Sequence, residues 1–225
     1  TAHKPKDEDF IDNMFVTSTH DDILFFTDLG KVYSMKGFMI PEGQRTARGR
    51  AIVNLLQLSE NEKVRAMIPL KEGTEGYIVM ATKGGLIKKT ALTEFASIRK
   101  VGKIAINIVE GDALISVQLT SGNDELILAS HEGKCIRFSE QDVRAMGRDT
   151  QGVKAMDLAD DDYLIAMSVV KDGCDVLTVT TNGYGKLSRV DDYRLQGRAG
   201  KGIKSGNYNE KTGKPICLTF VDPEN

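Results

Sequence analysis

Long apolar runs are absent from this sequence of 225 residues, and cysteine is scarce. No stretch approaches the roughly 18 apolar residues that a membrane helix needs, and the polar start TAHKPKDEDF lacks the apolar core of a signal peptide. We therefore predict a cytoplasmic protein with no membrane partner. The three cysteines, Cys135, Cys174 and Cys217, are widely spaced and form no C-x-x-C pair, which favours reduced side chains over a metal or redox site.

Catalytic motifs are also missing from the sequence. The glycine-rich stretch 200–206 fits neither the G-x-x-x-x-G-K-[ST] nor the G-x-G-x-x-G pattern of phosphate-binding loops. His131 and Glu132 lack the second histidine of a zinc protease, and no G-x-S-x-G nucleophile motif occurs. We expect no catalytic site, no metal, no cofactor and no small-molecule substrate in this chain.

What the sequence does contain is a repeat of about 50 residues. A glycine beside basic residues recurs at Gly49, Gly102, Gly152 and Gly202, at intervals of 53, 50 and 50 residues. Such a period indicates an array of equivalent supersecondary units. Each unit begins with a predicted hairpin, and the turns of the four hairpins contain Gly30, Gly85, Gly133 and Gly183.

Four short strands per repeat predict an all-β fold built from propeller blades. We expect a single domain over residues 1–225, with the end of an incomplete first blade at 1–20. Four complete blades are then predicted at residues 21–74, 75–122, 123–173 and 174–225. Closing strands are expected at 62–69, 112–119 and 162–169, and helical turns at 91–95 and 140–146. Because four blades and a fraction cannot close a wheel, we expect the chain to be part of a longer protein.

The charge is segregated, although the formal net charge is only -2. The same part of each repeat, residues 31–50, 86–103, 134–154 and 186–204, holds 21 basic and 7 acidic residues, whereas the remainder holds 9 basic and 25 acidic residues. Equivalent positions of successive blades lie at one height, so a positive band around the rim is predicted. Such a band suits the phosphates of duplex DNA and carries no pattern for reading bases. The candidate DNA-binding residues are Lys31, Lys36, Arg45, Arg48, Arg50, Lys88, Lys89, Arg99, Lys100, Lys103, Arg137, Arg144, Arg148, Lys154, Arg189, Arg194, Arg198, Lys201 and Lys204.

Four strings of residues resemble one family in register. They are ARGRAIVNLL at 47–56, KKTALTEF at 88–95, VRAMGR at 143–148 and NGYGK at 182–186. In this order and at this period they closely resemble the C-terminal domain of the A subunit of bacterial DNA gyrase. The resemblance covers essentially the whole chain.

The resemblance implies a β-pinwheel, a propeller-like disc whose blades exchange strands and whose basic rim wraps duplex DNA. It implies a place in an ATP-dependent type II topoisomerase, a heterotetramer of A and B subunits that introduces negative supercoils. ATP, Mg²⁺ and the cleavage tyrosine would belong to other parts of that assembly, in the cytoplasm at the nucleoid. The family's signature Gln-Arg-Arg-Gly-Gly-Lys-Gly would precede residue 1, and residues 196–202 and 44–50 resemble degenerate copies of it.

Two other interpretations stay open at this point. The corresponding domain of topoisomerase IV shares the pinwheel, with a more degenerate signature. A propeller can also serve as a protein-interaction platform, with the basic band facing an acidic protein. DNA binding at several salt concentrations would separate the DNA-binding interpretations from the platform.

Overall fold

The computed structural model describes residues 20–40, 55–98 and 101–223. Within these ranges the regular elements are β-strands and short 3-10 turns, which confirms the predicted all-β class. None of the helical turns here is long or apolar enough to cross a membrane. The strands are β1 (Asp22–Thr27), β2 (Lys31–Lys36), β3 (Val64–Leu70), β4 (Tyr77–Thr82), β5 (Leu86–Ala91), β6 (Lys103–Ile104), β7 (Leu114–Thr120), β8 (Glu125–Ser130), β9 (Lys134–Ser139), β10 (Val153–Lys154), β11 (Leu164–Val169), β12 (Asp175–Thr180), β13 (Gly185–Arg189), β14 (Ile203–Lys204) and β15 (Pro215–Val221).

The four predicted hairpins are present as antiparallel pairs. They join β1 to β2, β4 to β5, β8 to β9 and β12 to β13. The turn before β2 shows why glycine is needed at its end. Gly30 has a φ of 79°, and an added Cβ would lie 2.3 Å from the carbonyl oxygen of Ile106. Ile106 belongs to the next repeat, so the hairpin turn both reverses the chain and packs closely against the following repeat.

The first three hairpins are extended on both sides, and the fourth is extended on one side only. The closing strand of the same repeat pairs with its first strand, and a two-residue strand from the following repeat pairs with its second strand. The resulting sheet orders are β3-β1-β2-β6, β7-β4-β5-β10 and β11-β8-β9-β14, followed by the three-stranded β13-β12-β15. Strand exchange between neighbouring repeats, expected of a pinwheel, is therefore confirmed.

Hydrophobic clusters fill the spaces between successive sheets. Leu24 and Phe26 of the first sheet pack with Ile78 and Met80 of the second, and equivalent clusters join the second sheet to the third and the third to the fourth. Because side chains alternate across a strand, Ile23 of β1 faces the opposite side, in a fourth cluster. The first three sheets are therefore covered on both faces, and successive sheets pack face to face as the blades of a propeller do.

Some predicted boundaries differ from the structure. The closing strands begin at Val64, Leu114 and Leu164, two residues later than predicted. Acidic side chains hold the preceding turns: Asp112 accepts hydrogen bonds from the backbone of Gly84 at 2.8 Å and of Ala113 at 2.8 Å.

The helical turns also differ in part. Turns occur at Leu92–Phe95 and Glu140–Asp142, near the predicted positions, and at Gly37–Met39 and Val190–Asp192, which were not predicted. A turn of three or four residues is too short to show a helical period in the sequence.

Candidate nucleic-acid interface

The basic segments form loops along the outer edges of the sheets. In the third and fourth repeats, a 3-10 turn follows the hairpin, and the loop at 143–152 or 193–202 then leads to the two-residue strand on the preceding sheet. We call the segments 143–154 and 193–204, with the corresponding residues 101–104, the rim loops, and the two-residue strands at their ends the rim strands. Since β6, β10 and β14 are the outermost strands of their sheets, the rim loops lie at the same edge in successive repeats.

The recurring glycines place the rim strands against the sheets. A Cβ on Gly152 would lie 2.5 Å from the carbonyl oxygen of Ile87, and one on Gly202 would lie 2.5 Å from that of Cys135. At Gly102 the Tyr33 ring would be 2.5 Å away. No other residue fits such a close approach to backbone or ring without a shift. The 50-residue repeat of glycine is therefore explained by packing at the rim.

Neighbouring rim loops are hydrogen-bonded to one another. The backbone of Asn107 donates to the carbonyl of Thr150 at 2.9 Å, and that of Asp157 donates to Gly200 at 2.9 Å. Two equivalent arginines strengthen these links: Arg148 donates through Nη1 to the carbonyl of Ile104 at 3.1 Å, and Arg198 to that of Lys154 at 2.9 Å. The described rim loops thus form a connected belt.

Half of the predicted DNA-binding side chains that the structure describes are exposed. The exposed ones are Lys103, Arg144, Lys154, Arg189, Arg194, Lys201 and Lys204. The half-buried ones are Lys31, Lys36, Arg148 and Arg198. Lys36 pairs with Asp22 at 2.9 Å and Lys154 with Asp157 at 3.7 Å, whereas the charges of Arg144, Arg194 and Lys201 have no ion-pair partner among the described residues. The predicted Arg45, Arg48, Arg50, Arg99 and Lys100 lie outside the described residues.

Acidic turns occupy the ends of the sheets. Asp28, Asp112 and Asp162 each accept a backbone hydrogen bond between a hairpin turn and the turn before a closing strand. At the opposite ends of the strands, the 3-10 turns carry the exposed residues Asp142 and Asp191. The basic belt is thus bordered by negative charge, which disfavours a polyanion anywhere except along the rim.

Comparison with known proteins identifies the family. The family described as "DNA gyrase C-terminal domain, beta-propeller" matches residues 21–71, 76–121, 124–171 and 175–214. The chain belongs to this family. It is 47% identical over 223 residues to the DNA gyrase A subunit of Escherichia coli (strain K12), covering 99% of this chain and 26% of that protein. For the equivalent protein of Staphylococcus epidermidis (strain ATCC 12228 / FDA PCI 1200), the identity is 43%, with 97% of this chain and 25% of that protein covered.

Solved structures agree with the gyrase family fold. The C-terminal domain of DNA topoisomerase IV is similar with a TM-score of 0.82 and 25% identity, over 91% of this chain and 64% of that one. The DNA gyrase A C-terminal domain gives a TM-score of 0.78 and 26% identity, over 92% and 67% of the two chains. This chain spans about a quarter of the length of the curated gyrase proteins it matches.

The prediction that Lys88 binds DNA is wrong for this gyrase-family domain. Its side chain is fully buried, and its ammonium group donates to the carbonyl oxygens of Ala105 at 2.8 Å, of Thr150 at 3.2 Å and of Arg148. Burial lowers the pKa of Lys88 to about 8, although the charge of Asp149 acts in the opposite direction. Lys88 therefore joins two successive rim loops from inside and cannot reach phosphate in this structure.

The predictions that Lys89 and Arg137 bind DNA are wrong for the same reason. They occupy equivalent strand positions, and each reaches the 3-10 turn of the following repeat: Lys89 donates to the carbonyl of Glu140 at 3.1 Å, and Arg137 to that of Val190 at 3.2 Å. Arg137 also pairs with Glu125 at 2.6 Å. The sequence alone predicts exposed charges here. The 3-10 turns that these side chains contact lie about 50 residues later in the chain, so the contacts cannot be recognised from neighbouring residues.

The buried carboxylates are structural as well. Glu62 accepts hydrogen bonds from Thr27 at 2.6 Å and from Tyr33 at 2.7 Å. Burial alone would raise the pKa of Glu62, but these hydrogen bonds, together with one from the backbone of Ser59 and the charge of Lys31, hold the pKa below its usual range. Glu140 accepts from Thr120 at 2.9 Å. Within the described ranges, no group of three or more His, Cys, Asp or Glu residues is arranged to hold a metal ion.

Proposed function

We propose that this chain binds duplex DNA along the belt of rim loops and bends it around the disc. One observation carries the proposal: exposed basic side chains recur at equivalent positions of successive, hydrogen-bonded rim loops, while acidic turns border the belt. Ammonium and guanidinium groups without base-reading neighbours favour contacts to phosphate, which give affinity without sequence preference.

The belt is suited to bending as well as binding. Bending 20 to 30 base pairs by 40 to 90° costs roughly 1 to 6 kcal/mol, which repeated phosphate contacts along an arc must offset. A rim whose loops are bonded to one another presents its charges in a fixed arc and loses little conformational freedom on binding. We infer that DNA follows the belt over several repeats.

We further propose that the chain acts within DNA gyrase, as part of the A subunit in complex with the B subunit. In that assembly a bent DNA segment would be presented for ATP-dependent strand passage, in the cytoplasm. The catalytic tyrosine, ATP and Mg²⁺ would be supplied by other parts of the enzyme. The 47% identity to a gyrase A subunit supports this proposal.

A second candidate is the corresponding part of topoisomerase IV. The observation that favours it is the similarity in structure to the C-terminal domain of that enzyme, with a TM-score of 0.82. The two candidates differ in outcome: only a gyrase context is expected to introduce negative supercoils into relaxed DNA.

Linking number tests whether the bound DNA is wrapped around the disc. A nicked plasmid is ligated with and without the chain, and we expect the chain to shift the distribution of linking number. The variant Arg144→Gln/Arg194→Gln/Lys201→Gln removes three exposed belt charges and should reduce the shift. Lys63→Gln/Lys171→Gln/Lys211→Gln removes three exposed charges elsewhere and should leave it unchanged. An equal loss of the linking-number shift in both variants would contradict the proposal. Binding to an acidic protein in the absence of DNA would favour the alternative function as a protein-interaction platform.

A further inference from the structure

The edge of the third sheet brings two lysines face to face. Strand β14, which comes from the fourth repeat, pairs with β9 so that Lys204 lies directly opposite Lys134. Both residues are exposed. Side chains at directly opposite positions of an antiparallel pair start from Cβ atoms about 4.5 to 5.5 Å apart, and like charges there are destabilising. The fold therefore carries a repulsion at this edge.

Acidic residues do not relieve this repulsion. Among the described residues, neither Lys134 nor Lys204 forms an ion pair. Glu132, close to Lys134 in the sequence, instead pairs with Lys214 at 2.7 Å. Lys154, which corresponds to Lys204 on the second sheet, has Asp157 as a partner at 3.7 Å.

The other described rim edges do not repeat this arrangement. On the first sheet Lys31 lies opposite Ile104 and Lys103 opposite Val32, and on the second sheet Lys154 lies opposite Leu86, so no lysine at these two edges lies directly opposite another. Lys186 contacts the backbone beside Lys204. Lys186 donates through Nζ to the carbonyl of Ser205, the residue that follows Lys204.

We propose that Lys134 and Lys204 together form a phosphate-binding seat for the DNA backbone. The inference rests on the proposed function and adds Lys134, which sequence reasoning did not include among the DNA-binding residues. A phosphodiester between the two ammonium groups replaces a repulsion with two attractions. It also releases counterions that the isolated pair holds near it.

The experiment measures affinity for random-sequence duplex DNA over a series of salt concentrations, together with thermal unfolding of the DNA-free chain at low salt. The test variant is Lys134→Met/Lys204→Met, which keeps side chains of similar length and removes their charge. The matched control is Lys63→Met/Lys171→Met, two exposed lysines outside the belt.

Each lost phosphate contact should lower the slope of log affinity against log salt by about 1, so the test variant should lose about 2. The control should keep the slope of the unmodified chain. Without DNA, the test variant should unfold at the same or a higher temperature, because the repulsion is gone.

A test-variant slope equal to that of the control overturns the seat, and so does a lower unfolding temperature. In both cases steep salt dependence of the unmodified chain would leave the proposed function standing. If the affinity of the unmodified chain for DNA did not change with salt, both the proposed function and the phosphate-binding seat would be contradicted.

Discussion

Lys88 donates to three backbone carbonyls, and its removal would take this donor from the buried carbonyl of Ala105 and from the partly buried carbonyl of Arg148, while that of Thr150 keeps the backbone of Asn107 as a donor. We expect Lys88→Met to lower the free energy of unfolding by about 1 to 3 kcal/mol, the cost of buried unsatisfied acceptors. Duplex DNA should also bind more weakly, since Ala105 and Thr150 position neighbouring loops. Urea denaturation and DNA titration of both proteins provide the measurements.

Lys88 also makes the free energy of unfolding depend on pH. The pKa of Lys88 is about 8 in the folded chain and about 10.4 in an unfolded one. Between these values the unfolded state binds more protons, so the contribution of Lys88 to stability rises with pH. We expect the difference in unfolding free energy between the unmodified chain and Lys88→Met to widen from about pH 8 to about pH 10. A constant or shrinking difference would contradict the burial of a titrating amine.

The rim strands depend on close backbone contact. An alanine at position 152 would place its Cβ 2.5 Å from the carbonyl oxygen of Ile87, so β10 and β5 would have to separate. We expect Gly152→Ala to lower the free energy of unfolding by about 1 to 3 kcal/mol, as for other overpacked sites. DNA binding should weaken too, because Lys154 lies on β10. Gly147→Ala is the control in the same loop, since nothing lies within 4 Å of its added Cβ. Equal stability of the two variants would show that the glycine has another role.

The hairpins could be predicted from sequence because alternating apolar residues and a turn glycine act locally. The Asn182–Gly183 turn and strands β12 and β13 are an example. The two-residue strands could not be predicted in the same way: Ile203 and Lys204 pair with Cys135 and Lys134, about 70 residues earlier. For this reason the sequence predicted a basic band but wrongly placed Lys88 on its surface, and the position of Lys134 opposite Lys204 follows only from the sheet register.

At the scale of the whole molecule, position in the sheets separates the two signs of charge. Exposed Arg144, Arg194 and Lys201 lie on the outer loops, whereas Asp112 and Asp162 are held in turns at the strand ends. The net charge of -2 hides this division. An arc of positive charge between acidic borders favours a long polyanion that lies along the rim, and it disfavours binding across either end of the sheets.

Salt dependence of DNA binding tests this account most directly. Affinity of the unmodified chain for random-sequence duplex DNA is measured from about 50 to about 200 mM salt, where six to ten phosphate contacts predict a loss of roughly 10³ to 10⁵ fold. Duplexes of different sequence should bind alike, because no base-reading contacts are expected. We predict this steep, sequence-independent loss. An affinity that stays level across the salt series would contradict the claim that the basic belt is the DNA-binding surface.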